Sequence, residues 1–186
     1  MSSLNKQYED KFVSGISQFT EFIIDIVSVA SKNKYTELNA NAIAFAAGFA
    51  NSKIKEFGNK YATDQFIIKS NKYWKNIYER DIDVLKNHLS EMCPLIPTNI
   101  LDQFVQLCVG KTQSGKSYID SDDMDALWDF VFNFIKISIQ YIHYNRKPEY
   151  SEAKSESKTP TFTYTANFFP DVKVGEMVKL YNVKLS

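Results

Sequence analysis

Arginine is almost missing from this chain. Arg80 and Arg146 are the only two, and the other 20 of the 22 basic residues are lysine. Glycine (6) and proline (5) are scarce as well, while Asn, Ile, Phe and Tyr abound. All of these biases favour AT-rich codons, as in the genomes of many large viruses, phages and protists. Excess charge of either sign is also lacking, because 22 basic residues balance 22 acidic ones. A neutral chain has no electrostatic footprint for nucleic acid or an anionic membrane, and it associates with itself more readily. Histidine is limited to His88 and His143, neither with a second ligand at metal-binding spacing, so no metal site is expected and both read as structural. Cys93 and Cys108 sit among apolar neighbours and read as buried, reduced thiols of an intracellular chain. Nothing local pairs Cys93 with a histidine as a nucleophile.

Long apolar runs are missing too. Phe22–Ala30 is short, and both it and Phe130–Ile142 are interrupted by polar residues, against the roughly 20 apolar residues of a membrane span. The first residues carry no basic patch followed by an apolar run, so neither a secretory signal nor a membrane span is expected. No nucleophile elbow, dinucleotide fingerprint or zinc ribbon occurs. The acidic run from Asp120 to Asp125 fails as a calcium loop, because Met124 stands where an oxygen ligand is required and Asp125 where glycine is. Helix capping accounts for it.

What is present is a core. Of 186 residues, 44% are hydrophobic and 15% aromatic, enough for one well-packed domain. Apolar residues recur at helical period from Leu4 to about Ser31, and a small-residue helix follows from about Glu37 to Phe57. Its alanines and Gly48 predict close packing with another helix. Asp64 is placed to cap a helix from Gln65 to Met92, broken near Ser70-Asn71, and Thr98 to cap Asn99–Val109. Asp122–Asn145 is apolar nearly all round and predicts the central helix, packed by Glu37–Phe57. The fold expected is mostly α, a bundle of four or five helices over residues 1–148. A polar linker (149–160) and an extended, β-strand-like arm (161–186) complete the chain. In the arm Thr161–Ala166 alternates at period two and Met177–Leu185 is strand-like.

Gly110-Lys111-Thr112-Gln113-Ser114-Gly115-Lys116-Ser117 matches the phosphate-loop pattern letter for letter. Average residue usage produces that string by chance in roughly one chain of this length in a hundred. In a nucleotide site Gly110 and Gly115 would let backbone N–H groups wrap the phosphates, Lys116 would reach them and Ser117 would hold Mg²⁺. The chemistry needs a strand leading in and a parallel sheet around it, whereas residues 98–109 read as helix. An exposed polar loop is the expectation, and no cofactor.

The two arginines stand out in a lysine-rich chain, because a retained guanidinium offers a rigid fork of donors. A salt bridge or helix-end cation is expected at each, ahead of ligand contact. Around them lie Tyr73-Trp74-Lys75-Asn76-Ile77-Tyr78-Glu79-Arg80-Asp81, then Leu127-Trp128 and Tyr141-Ile142-His143-Tyr144-Asn145-Arg146-Lys147-Pro148. These stretches resemble a pattern in uncharacterised helical proteins of nucleocytoplasmic large DNA viruses, over about half the chain. The resemblance implies a viral source and carries no activity with it.

The function expected is therefore a non-enzymatic structural or protein-interaction component of a large virus, intracellular or in the virion. It would bind other protein subunits, copies of itself included, without nucleic acid or a small-molecule ligand. Assembly would use aromatic surfaces and the arm residues Phe162, Tyr164, Phe168, Phe169, Leu180 and Tyr181. The alternatives are a nucleotide-binding protein using Gly110–Ser117, or a viral helical regulator of host proteins.

Overall fold

The computed structural model describes residues 4–145 and 174–185, and among these the chain is built from α-helices joined by short turns. The body holds α1 (Leu4–Lys32), α2 (Ala40–Phe57), α3 (Asn59–Ser70), α4 (Trp74–Tyr78), α5 (Ile82–Met92), α6 (Thr98–Val109) and α7 (Ser121–Asn145); α8 (Val174–Leu180) follows beyond it. The mostly α class holds, but seven body helices replace the expected four or five.

Local chemistry explains the extra breaks. Asn39 caps α2, its side chain accepting from the Ala42 N–H at 2.9 Å. Only Gly58 separates α2 from α3, and its φ of +96° turns the chain in one residue. The expected Gln65–Met92 helix is interrupted by a 3₁₀ turn at Asn71–Tyr73 and then by Arg80 at φ +57°. Asp81 restarts it as α5 by accepting from the Asp83 N–H at 3.0 Å. Asp64 is not a cap at all: it lies inside α3, 1% exposed. Pro97 rather than Thr98 occupies the N-cap of α6. Asp120 does cap α7, through the Asp123 N–H at 2.8 Å.

α7 is central, as its all-round apolar character predicts. It packs chiefly on α1, and also on α3, α4 and α8. Trp128, Phe134, Ile135 and Ile142 are buried, each contributing about 1.5–3 kcal/mol of hydrophobic stabilisation. Phe12 joins this layer with ring centroids 5.0 Å from Phe134 and 5.2 Å from Phe66. α2 does not pack chiefly on α7 as expected; it lies mainly on α1, α3 and α6, and meets α7 where Ile43 and Ala46 share a core cluster with Leu127. Gly48 likewise mediates no close approach among the described residues, since an added Cβ there would meet nothing within 4 Å. By length and composition alone α1 is apolar enough to cross a membrane; in the fold its inward face, with Tyr8, Phe12, Ile23 and Val27, forms core.

At the far end Met177–Leu185 is not a strand. Its first residues complete α8, and Tyr181 and Val183 then fold back onto the body. Tyr181 packs on Tyr78 and Phe132, with centroids at 4.8 and 5.7 Å. Gln140 donates to the Lys184 carbonyl at 2.5 Å, and the Tyr144 hydroxyl donates to the Leu185 carbonyl. Leu180 stays 57% exposed. Phe162, Tyr164, Phe168, Phe169, Arg146 and the 149–160 linker lie outside the described residues.

Candidate functional site

The phosphate-loop string forms a tight hairpin leaving α6. Lys111 and Ser117 pair as an antiparallel bridge, and no strand precedes Gly110. The Thr112 N–H donates to the Lys116 carbonyl at 2.7 Å, the Gly115 N–H to the Thr112 carbonyl at 2.9 Å, and the Tyr118 N–H to the Gly110 carbonyl at 3.1 Å. The Lys116 N–H is taken by the Thr112 hydroxyl at 3.1 Å. Four donors that a phosphate would need are thus spent inside the turn. The glycines have other tasks: Gly115 adopts φ +84°, and a Cβ on Gly110 would stand 2.3 Å from the Tyr118 ring. That ring stacks on Tyr35 at 4.5 Å, pinning the hairpin against the α1–α2 turn. Gly115, Lys116 and Ser117 point to solvent.

Arg80 uses its fork on protein. It binds Asp125, and Asp129 at 3.2 Å, both on α7, tying the α4–α5 turn to the central helix. His88 stacks on Tyr73 at 4.4 Å, and Tyr73 donates to Glu91 at 2.7 Å. Cys93 and Cys108 keep some accessible surface, yet burial pushes both thiols up to about 12, so neither is a ready nucleophile at neutral pH. Among the described residues no group of three or more His, Cys, Asp or Glu could hold a metal.

One polar cluster lies inside the bundle, and sequence reasoning misplaced it. Asp64 on α3 pairs with Lys60 at 2.8 Å and accepts from the Tyr141 hydroxyl at 3.2 Å. Tyr141 also reaches Glu9 at 3.4 Å, so α1, α3 and α7 meet there. Burial raises the Asp64 carboxyl to about 7, against the opposing pull of Lys60, and burial raises Glu9 as well. Its hydrogen-bond and ion-pair partners belong to α1, α3 and α7.

Two further features have no local explanation. The outward face of α2 presents Ala44, Phe45, Gly48 and Phe49, with Phe45 69% and Phe49 45% exposed. Lys53 Nζ rests 5.9 Å from the Phe49 ring centre and 5.7 Å from that of Phe57. The inward face of the same helix borders an apolar chamber of about 240 Å³, partly open to solvent. All seven body helices contribute to its wall, which lies between two clusters of the core. Ala46, Ala47 and Ala50 leave the room; Phe19, Phe104 and Trp128 are among the side chains opposite. Thr20, Gln65, Cys93 and Trp128 are the side chains with polar atoms in an otherwise hydrocarbon wall. The Thr20 hydroxyl is committed to the Ile16 carbonyl at 2.8 Å.

No family model, no curated protein and no solved structure matches this chain.

Proposed function

We propose that the protein acts without catalysing a reaction, as a structural or protein-interaction component of a large virus. It meets a second copy of itself through the outward face of α2. The observation that carries this reading is the exposure of Phe45 and Phe49 on one ridge of that helix. Large rings left in water along a single helix face are a feature of association surfaces.

A second copy suits the face for two reasons. The chain is neutral overall, so like-charge repulsion does not oppose pairing. Ala44 and Gly48 form a shallow furrow beside the two rings, and around a two-fold axis each ridge would seat in the other's furrow. Gly48 costs about 1 kcal/mol relative to alanine inside a helix. A close helix crossing compensates for that cost, and nothing among the described residues of one chain does. Phe162, Tyr164, Phe168 and Phe169 extend the proposal as a further contact in the assembly.

Sedimentation of the wild type beside the Phe45→Glu/Phe49→Glu double variant tests it. The wild type should be dimeric, and the variant monomeric with an unchanged helical circular dichroism signal. A wild type that is monomeric at high concentration and is absent from purified virus particles would sink the reading.

A further inference from the structure

We propose that the chamber between the two core clusters is a binding site for one uncharged, medium-length hydrocarbon ligand bearing a neutral polar head, such as an alcohol, ester or amide. Its size sets the hydrocarbon. An engineered apolar cavity of about 150 Å³ binds benzene. In proportion, the 240 Å³ chamber takes roughly eight to ten carbon centres. Its wall chemistry selects against water. A buried water needs two to four polar partners, and this wall is almost wholly apolar.

The head group follows from what the wall offers. No Lys, Arg or His lines the chamber, so nothing there would compensate a carboxylate or phosphate on entry. A neutral head loses least on entry, and the chamber's opening to solvent lets it stay hydrated. The sequence carries no sign of this site, because its wall is assembled from seven separate helices. It is also independent of the α2 outward face, which points the other way.

The probes are 1-alkanols from hexanol to dodecanol, octanoate, and 8-bromo-1-octanol. Trp128 lines the chamber, so the brominated alcohol should quench tryptophan fluorescence saturably, competed by unlabelled octanol. Affinity should rise about fourfold per added methylene, as apolar transfer dictates. It should level off or fall once the chain exceeds the chamber, near eight to ten carbons by the same volume argument. Octanoate at neutral pH should bind at least tenfold more weakly than octanol. The Ala46→Leu/Ala50→Leu variant fills the space and should lose the quenching while melting no lower than the wild type. The proposal is overturned if no alkanol binds the wild type saturably, if octanoate binds as well as octanol, or if affinity climbs without limit with chain length. It is equally overturned if the filled variant folds and still binds. Should that variant fail to fold, the alkanol series on the wild type decides alone.

Discussion

α7 and α2 are both apolar helices of one bundle, yet they place bulk on opposite sides. Along α7 the large residues Trp128, Ile135, Ile139 and Ile142 point into the core, and Ile135, Ile139 and Ile142 have no accessible surface. Along α2 the inward positions include Ala46 and Ala50, while Phe45 and Phe49 face out. Mean apolar content hardly separates the two helices; the distribution of volume does. Where volume points inward, as at Ile135, Ile139 and Ile142, side chains close the interior completely. Where it points outward, a chamber opens behind the helix and an aromatic ridge appears in front of it.

Paired substitutions put numbers on this contrast. Ile135→Ala should destabilise the fold by roughly 2–5 kcal/mol in urea titrations, because it removes three carbons from a packed site. Ala50→Leu adds three carbons on the chamber wall, and its cost should stay under about 1 kcal/mol; in a filled core, overpacking costs roughly 1–3 kcal/mol. Similar costs for both would mean that the two sides of the bundle are packed alike.

The polar cluster under α7 gives the next effect in size. The Asp64 carboxyl stands near 7 in the fold against an ordinary 3.8, chiefly through burial. Between those values the folded state keeps a proton that the unfolded chain has released. Stability is therefore highest on the acid side of this window and declines as pH rises through it, by up to about 1.4 kcal/mol per unit. Above about 7 the contribution is flat. Asp64→Asn should remove that decline, leaving a shallower profile in chemical denaturation between about pH 4 and 7. A wild-type stability that rises steadily across the window would contradict the placement of Asp64.

How much of this was legible in the sequence depended on how local the cause is. The helical period predicted α1 from Leu4 to Ser31, and the helix runs Leu4–Lys32. The all-round apolar run marked α7 as central. Asp64 deceived because an acidic residue ahead of an apolar run has the form of a cap; the Tyr141 hydroxyl that it accepts from inside the bundle is remote in sequence. Met177–Leu185 deceived because a segment that short does not separate period two from period 3.6. The phosphate-loop letters were plain, but their meaning rested on what enters the loop, and α6 enters it where a strand is needed. The chamber had no linear signal, since it is a volume deficit summed over seven helices. The outward ridge of α2 is half visible in the sequence: its small residues are plain there, and the face they occupy is not.

Gly48 gives the smallest effect, and it separates the two faces of α2. In a single chain Gly48→Ala should stabilise by about 1 kcal/mol, because alanine is the better helix former and the new methyl meets nothing. In the proposed dimer the same methyl intrudes on the furrow that receives the partner's ring. The substitution should then raise the melting temperature at low protein concentration while weakening self-association in sedimentation equilibrium. Stabilisation with association unchanged would place the dimer contact elsewhere and leave the glycine without a role at an interface. Destabilisation at low concentration would mean that α2 is not a regular helix at this position, and the contrast drawn with α7 would fail with it.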